Sequence, residues 1–439
     1  MKIEKWTIAL AAAGLVSLSP AVVAQNAAPA PQVIPLQTAL SATTISGYVD
    51  TSAIWNPGTG NANPAPYAFN TSSKHDGFNV DAADVKIARA EDETAWAAGY
   101  VVELSYGPDA MAIDSGAYPI RQAYVEMKMP IGNGLDWQIG RWDNLLGYEV
   151  SDAYANPNFT RSYGYSFEPT EHTGLLATYS FGSSLKVQGG VADTVNTLGV
   201  NDRSDPGAPV IESKKSFVSL VTLTAPDSWG SLKGSTLVAG FDYGAGNHGG
   251  GNGSGVVTGV GVPGSGGTGQ DREEIYVGGT INTPVKDLSV GAAWDYIHGV
   301  DIGSPDGGTL SAEYINTIAG YITYKIDKLH LNGRVEYANG PGLTALEYAA
   351  NGKVPYGYTI TNPDDSTTLA PGTGGPFNKV LAVTGTVQYD LWDNVITRLE
   401  VRWDHAMDSS TPFGGSDAND GLPNKRNELM VAANVIYKF

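Results

Sequence analysis

Four charged side chains stand at alternate positions near the end of the chain: Arg398, Glu400, Arg402 and Asp404. Alternate residues of a β-strand point to the same face and lie about 7 Å apart. One face would therefore carry a ladder of alternating positive and negative charge. Such a ladder can orient dipolar solutes inside a pore, or it can brace a wall through arginine–carboxylate pairs. The residues alone are compatible with both roles.

The same two-residue period places other charged side chains on polar faces. The segments RQAYVEMKMP and KLHLNGRVEY alternate in this way. We predict that these faces line a water-filled interior. The predicted lining residues are Glu126, Lys128, Arg334, Glu336, Arg398, Glu400 and Arg402.

Chemistry that needs thiols or clustered histidines has little support in the chain. Cysteine is absent, which excludes disulfides and thiolate metal sites, and the six histidines are scattered. The glycines of GAGNHGGGNGSG match a dinucleotide fingerprint without a helix to follow. We therefore predict no enzyme and no cofactor. The stretches SPDGG, NPDDS and SDANDG lack the full spacing of a calcium loop, so they offer only adventitious calcium binding.

The composition is typical of an exported chain that avoids nucleic acid. Charged residues are 16% of the 439 residues, and the formal net charge is -19, which would repel phosphates. Residues 1–24 join Lys2 and Lys5 to a short apolar core and end on Ala24, which predicts a signal peptide. Residues 25–43 resemble a flexible periplasmic leader.

From residue 44 onward hydrophobicity has a period of two, which predicts about sixteen strands, each with one apolar and one polar face. Long connections rich in Gly, Asn, Asp and Pro alternate with tight links. The predicted long connections are 56–79, 107–119, 143–170, 194–214, 244–271, 298–311, 339–378 and 406–426.

This asymmetry predicts an all-β protein, a transmembrane antiparallel up-and-down β-barrel over residues 44–439. Long extracellular loops and short periplasmic turns are typical of outer-membrane barrels. A barrel of roughly 16–18 strands leaves an aqueous channel, whereas one of about eight strands packs shut. The last strand carries Leu429, Val435, Tyr437 and Phe439 on one face, which we assign to lipid and its aromatic girdle.

The third long connection and its flanks carry a resemblance to a known family. Gly147-Tyr148-Glu149, Asn156-Pro157-Asn158, Arg161-Ser162, Glu168-Pro169 and His172-Thr173-Gly174 occur in this order. This stretch resembles the OmpL-like β-barrel porin family, which implies an outer-membrane pore. Gly140-Arg141-Trp142 departs from the pattern, since phenylalanine is expected in place of the tryptophan.

By analogy with barrels of this size, we expect the third loop, 143–170, to fold inward and narrow the lumen. The hypothesis is that Glu149 and Asp152 face Arg161 or barrel arginines at the narrowest point. The alternative is a loop that stays at the mouth and packs against its neighbours. The long loops are also acid-rich, with Asp109, Asp202, Asp364 and Asp417 as examples, and negative mouths attract cations.

The predicted function is an outer-membrane porin, a passive diffusion channel for ions and small hydrophilic solutes with a mild cation preference. The alternative is an anchored surface or adhesion protein that acts through its long loops. Expected partners are the lipid bilayer, lipopolysaccharide and the barrel assembly machinery, because a terminal Phe439 resembles the closing signature of outer-membrane proteins. A homotrimer is expected by analogy.

Overall fold

The computed structural model describes residues 42–70, 74, 76–92, 95–110, 119–195, 200–201, 214–245, 271–303, 309–343, 359–361, 367–369, 377–415 and 423–439. The predicted signal peptide, 1–24, lies outside the described residues, as does the predicted leader except for residues 42 and 43. No helix in the described part of the chain is long and apolar enough to cross a membrane.

Strands dominate the described residues, as the period of two predicts. They are β1 Thr44–Trp55, β2 Gly77–Arg89, β3 Ala97–Tyr106, β4 Ile120–Met129, β5 Leu135–Asp143, β6 Glu171–Phe181, β7 Leu185–Ala192, β8 Ser216–Thr224, β9 Thr236–Ala245, β10 Asp271–Asn282, β11 Leu288–Gly303, β12 Thr309–Ile326, β13 Leu329–Asn339, β14 Thr359–Thr361, β15 Thr367–Leu369, β16 Lys379–Trp392, β17 Val395–Ala406 and β18 Asn427–Lys438. Helical segments are α1, Tyr163–Phe167, and the 3₁₀ segments Ala153–Ala155 and Asp227–Leu232.

Sixteen of these strands form a closed antiparallel ring, which confirms the predicted barrel. β18 pairs with β1, and Phe439 and Gly47 exchange two backbone hydrogen bonds of 3.0 Å beyond the end of β18. β13 pairs directly with β16, while the short β14–β15 hairpin attaches to β12 at the long-loop end. Closure leaves no unpaired strand edge, which a bilayer could not hydrogen-bond.

Side chains sort by parity into an outer and an inner face. On β18 Leu429, Val435 and Tyr437 are exposed on the outside, whereas Ala432 and Ile436 are fully buried inside. Apolar side chains on the outer face suit contact with lipid. The predicted outward face of the last strand is therefore confirmed.

The strict alternation of long and short connections was wrong in two places. The predicted loop 298–311 is largely strand, because β11 runs to Gly303, which pairs with Thr309 of β12. Gly299, with φ +79, interrupts the regular period there and disguises the continuation of β11. The link between β8 and β9 contains the 3₁₀ segment Asp227–Leu232 and is longer than the tight links predicted elsewhere.

Candidate pore constriction

Residues 144–170, which connect β5 to β6 and are here named the inner loop, contact inward-facing side chains on nearly opposite walls. Glu149 Oε1 lies 2.7 Å from Arg334 Nη1 on β13, and Asp152 Oδ1 lies 2.5 Å from Arg121 Nη1 on β4. Between these two strands lie β5–β12 on one side and β16–β18 with β1–β3 on the other. The two ion pairs therefore tie one loop to both sides of the interior.

The polar side chains of the inner loop hold its shape. Asn156 Nδ2 donates to the carbonyls of Val150, at 2.8 Å, and Asp152, at 2.7 Å. The Arg161 guanidinium donates to the carbonyls of Val150, at 3.1 Å, and Ser151, at 3.0 Å. Within the described residues, no carboxylate lies within ion-pairing distance of Arg161. Arg161 therefore binds the backbone of its own loop, and barrel arginines pair with the loop carboxylates Glu149 and Asp152.

Arg334 is buried and bonds the inner loop through both terminal nitrogens of its guanidinium. Nη1 donates to the carbonyl of Thr160 at 2.7 Å, and Nη2 donates to the carbonyl of Arg161 at 3.1 Å. Nε donates to Glu336 Oε1 at 3.1 Å, while Glu336 Oε2 accepts the Tyr163 amide at 2.6 Å. This β13 pair therefore holds the backbone just before and at the start of α1.

The charged ladder of β17 also contacts the inner loop. Arg398 donates to the carbonyls of Ala153, at 3.0 Å, and Asn156, at 2.7 Å. Glu400 Oε1 accepts from the amide of Thr160 at 2.9 Å and from its hydroxyl at 2.6 Å. Because charge-assisted hydrogen bonds are strong, this ladder braces the loop. A transverse field for solutes remains a prediction.

Arg402 lies between the inner loop and a second loop. It forms two bonds to Asp404, of 2.8 and 2.9 Å, and donates to the carbonyl of Arg161 at 2.7 Å. Its guanidinium lies 3.8 Å from the ring centroid of Tyr67, in the connection between β1 and β2. The Tyr163 hydroxyl donates to Asp404 at 3.0 Å. A cation–π contact and hydrogen bonds to charged side chains thus join both loops to β17.

Glu126 and Lys128 lie apart from this cluster. They occupy the short-turn end of β4, where Lys128 pairs in register with Asp136, and both are only partly buried. Glu126 Oε1 accepts the amide of Glu91, in the β2–β3 turn, at 3.2 Å. Of the ten predicted lining or constriction residues, the structure places these two away from the inner loop.

Arg121 forms several ion pairs at the site, although the two-residue period of the sequence does not place it among the lining residues. Glu103 pairs with Gln122, and Leu104 pairs with Ile120, so a β-bulge inserts Arg121 as an extra residue. Arg121 and Gln122 are consecutive, yet both are buried. A strict period of two cannot anticipate this, because the bulge depends on the pairing of β3 with β4.

Arg121 gathers several carboxylates around one cation. It pairs with Glu103, with Asp152 at 2.5 Å and with Asp143 at 2.6 Å. Burial by itself would raise the pKa of Asp152, but the charge and hydrogen bond of Arg121 outweigh it, and the pKa is lowered. The Asp152 carboxylate is therefore charged at neutral pH.

An apolar seam on the inner face of the barrel seats the start of the inner loop. Leu146 packs with Leu220, Tyr276, Ala293 and Ala319, which lie on β8, β10, β11 and β12. Burying one leucine contributes roughly 1.5–3 kcal/mol. Apolar side chains are not expected to face a water-filled interior. Their clustering on neighbouring strands is therefore the feature of the sequence that indicates where the loop packs against the wall.

Acidic residues near the mouth are partly neutralised where the structure describes them. Lys74 Nζ lies 3.0 Å from Asp81 and 2.5 Å from Asp109. Burial raises the pKa of Asp109 to about 6, although the Lys74 charge opposes this. The other predicted mouth acids, Asp202, Asp364 and Asp417, lie outside the described residues.

A closed sixteen-stranded barrel, apolar outside and charged inside, defines the class of outer-membrane porins. The family model described as "Putative beta-barrel porin-2, OmpL-like" matches residues 42–439. The chain belongs to this family of outer-membrane porins. A comparison with curated proteins found no match.

Solved porin structures share the fold at low identity. The anion-selective porin from Comamonas acidovorans has a TM-score of 0.53 and 11% identity, over 90% of this chain and 99% of that one. The outer membrane channel DcaP of Acinetobacter baumannii gives 0.51 and 10%, over 90% and 97%. Pseudomonas putida OprB gives 0.51 and 11%, over 92% and 96%. At such identity the likeness shows the fold and does not transfer a solute.

Proposed function

We propose that this porin is a passive diffusion channel for ions and small hydrophilic solutes, narrowed by its inner loop. The observation that carries the proposal is the two ion pairs, Glu149–Arg334 and Asp152–Arg121, which tie the loop to nearly opposite walls of a sixteen-stranded barrel. A barrel of this strand number leaves an aqueous lumen unless an internal segment fills part of it. The channel is therefore expected to conduct less than an unobstructed barrel.

The proposal includes a mild preference for cations. Three carboxylates, Glu103, Asp143 and Asp152, surround Arg121, while Lys86 lies 3.2 Å from Glu103, and the whole chain carries a formal charge of -19. An excess of negative charge beside a water-filled passage raises the local concentration of cations. The anion selectivity in the name of the Comamonas porin belongs to that protein.

Planar-bilayer recording of the purified protein in a salt gradient tests both parts. Stepwise increases in conductance are expected, and the reversal potential should be displaced toward the equilibrium potential of the cation. A reversal potential on the anion side would contradict the cation preference. A barrel that inserts but never conducts would contradict the channel and favour the adhesion role.

The partners are part of the same proposal. The ring of Phe439 is exposed on the outer surface beside β18, which suits recognition by the assembly machinery and contact with the membrane interface. Deleting Phe439 should lower the amount of folded barrel in the outer membrane. Cross-linking in native membranes would distinguish a trimer from a monomer.

A further inference from the structure

A cavity of about 500 Å³ lies beneath the inner loop, toward the short-turn ends of β9–β13 and β16. Residues 147–148 and 154–157 of the loop form its ceiling. Small-molecule sites typically enclose roughly 300–1,000 Å³, so the cavity, named here the lower chamber, is of suitable size. A solute that has passed the inner loop would enter this chamber before reaching the short-turn rim.

The lining of the lower chamber carries less charge than the ion-paired side chains that hold the inner loop above it. None of its described lining residues is a carboxylate, and the described lining residues that can carry a positive charge are Lys325 and His330. Lys325 is exposed, so solvent screens its charge. The remaining polar lining consists of hydroxyls and amides, as in Ser289, Thr323 and Asn332. Neutral hydrogen-bonding groups match neutral solutes better than ions.

Two tyrosines of the inner loop, Tyr148 and Tyr154, also line the chamber. Tyr148 stacks on Tyr321 with ring centroids 4.0 Å apart, and its phenol oxygen lies 3.0 Å from Thr280 Oγ1. A Cβ on Gly291 would collide with the Tyr148 hydroxyl, so that glycine makes room for the ring. These contacts fix Tyr148 as a rigid surface with apolar and polar parts.

Two hydroxyls in the chamber are free to meet a solute. Ser289 and Thr323 are direct neighbours across β11 and β12, and both are half-buried. Within the described residues, neither side-chain hydroxyl has a hydrogen-bond partner. Partly buried hydroxyls favour a ligand that supplies donors and acceptors in return.

We propose that the lower chamber is a binding subsite for neutral polyhydroxylated solutes of monosaccharide or disaccharide size. The C–H face of the sugar ring packs on Tyr148 or Tyr154, and its hydroxyls bond Ser289, Thr323 and the neighbouring amides. This inference rests on the proposed channel, because the solute reaches the chamber through the lumen.

The test is single-channel recording in KCl with increasing D-glucose, with D-glucuronate as the charged analogue that keeps the pyranose ring. Glucose should reduce the ion current saturably, and glucuronate should do so more weakly. Ser289→Ala with Thr323→Val should raise the half-saturating glucose concentration about 3- to 10-fold, since each lost hydrogen bond weakens binding modestly. Thr178→Val is the matched control.

Thr178 faces the interior of β6 three positions before the strand ends at Phe181, as Thr323 does before Ile326 on β12, but Thr178 does not line the chamber. Equal glucose responses in the Thr178 and Ser289/Thr323 variants would overturn the subsite, as would stronger block by glucuronate. The KCl conductance without glucose should be unchanged in every variant. A changed glucose response then reports on the subsite and not on the channel itself. Absence of any conductance would instead contradict the proposed function.

Discussion

Two pairs of opposite charges with the same spacing have different surroundings in this barrel. Arg334 and Glu336 on β13 are 1% and 3% exposed, whereas Glu126 and Lys128 on β4 are partly open to the lumen. The inner loop covers the first pair and not the second. Alternation in the sequence therefore identifies the face of the strand on which a charged side chain lies. Whether a loop covers that side chain decides whether its charge stabilises the loop or faces the lumen.

The energetic consequences of the two environments differ accordingly. Removing one member of a buried ion pair leaves the other charge desolvated and unpaired, which is strongly destabilising. An exposed pair is screened by water and salt and contributes little to stability. The β13 pair should thus control the position of the inner loop, and the β4 pair should control ion preference.

The largest effect is expected from Arg334→Met. Glu149 and Glu336 would lose a buried cation, at a cost of about 3–5 kcal/mol in the free energy of unfolding. The loosened loop should raise conductance and become sensitive to protease. Lys128→Met, the matched control, should cost less than about 1 kcal/mol. Equal losses, measured by denaturant unfolding in detergent, would erase the distinction between the two pairs.

A smaller effect is expected when Glu149 and Asp152 of the inner loop are neutralised together. Glu149→Gln with Asp152→Asn keeps the shapes but removes the charges facing Arg334 and Arg121. Replacing charge-assisted by neutral hydrogen bonds should destabilise the loop by about 1 kcal/mol for each position and shift the reversal potential toward the anion side. Unchanged conductance and unchanged ion preference would count against a constriction at this loop.

The β4 pair should respond in selectivity alone. Lys128→Gln should increase the cation preference and Glu126→Gln should decrease it, because each removes one charge from the lumen near the short turns. Both variants should unfold within about 0.5 kcal/mol of the wild type. Shifts of the same sign, read from reversal potentials, would show that these side chains do not face the ion path.

The smallest effect is a pH response at the same rim. Burial, with the charges of Asp136 and Glu126, raises the pKa of Glu91 to about 7 from its ordinary 4.5. The folded protein therefore holds the Glu91 proton more tightly than the unfolded chain does. The resulting contribution to the free energy of unfolding is lost as the pH rises through 7. Raising the pH from about 6 to about 8 should add negative charge and increase cation preference.

Glu91→Gln should flatten that pH dependence, since the amide stays neutral throughout. Asp393→Asn, in the turn between β16 and β17, should leave it intact. If Glu91→Gln retains the full response in the reversal potential, another group titrates at this rim.

Local alternation in the sequence predicts much of the barrel correctly. Strand positions, the outward face of β18 and the parity of Arg398, Glu400 and Arg402 follow from a period of two. The period does not hold at Gly299 and Arg121, where a left-handed glycine and a β-bulge interrupt it. Both irregularities depend on cross-strand pairing, which a single strand does not reveal.

The sequence by itself determined a lipid-facing barrel, because strands with one apolar and one polar face are joined by connections that alternate between long and short. Only the tertiary structure decided which interior charges meet. Glu149 and Arg334 are 185 positions apart, and their 2.7 Å contact depends on a loop that crosses between strands distant in sequence. Local periodicity contains no information about such a crossing, which arises from closure of the ring and from the apolar seam that seats Leu146.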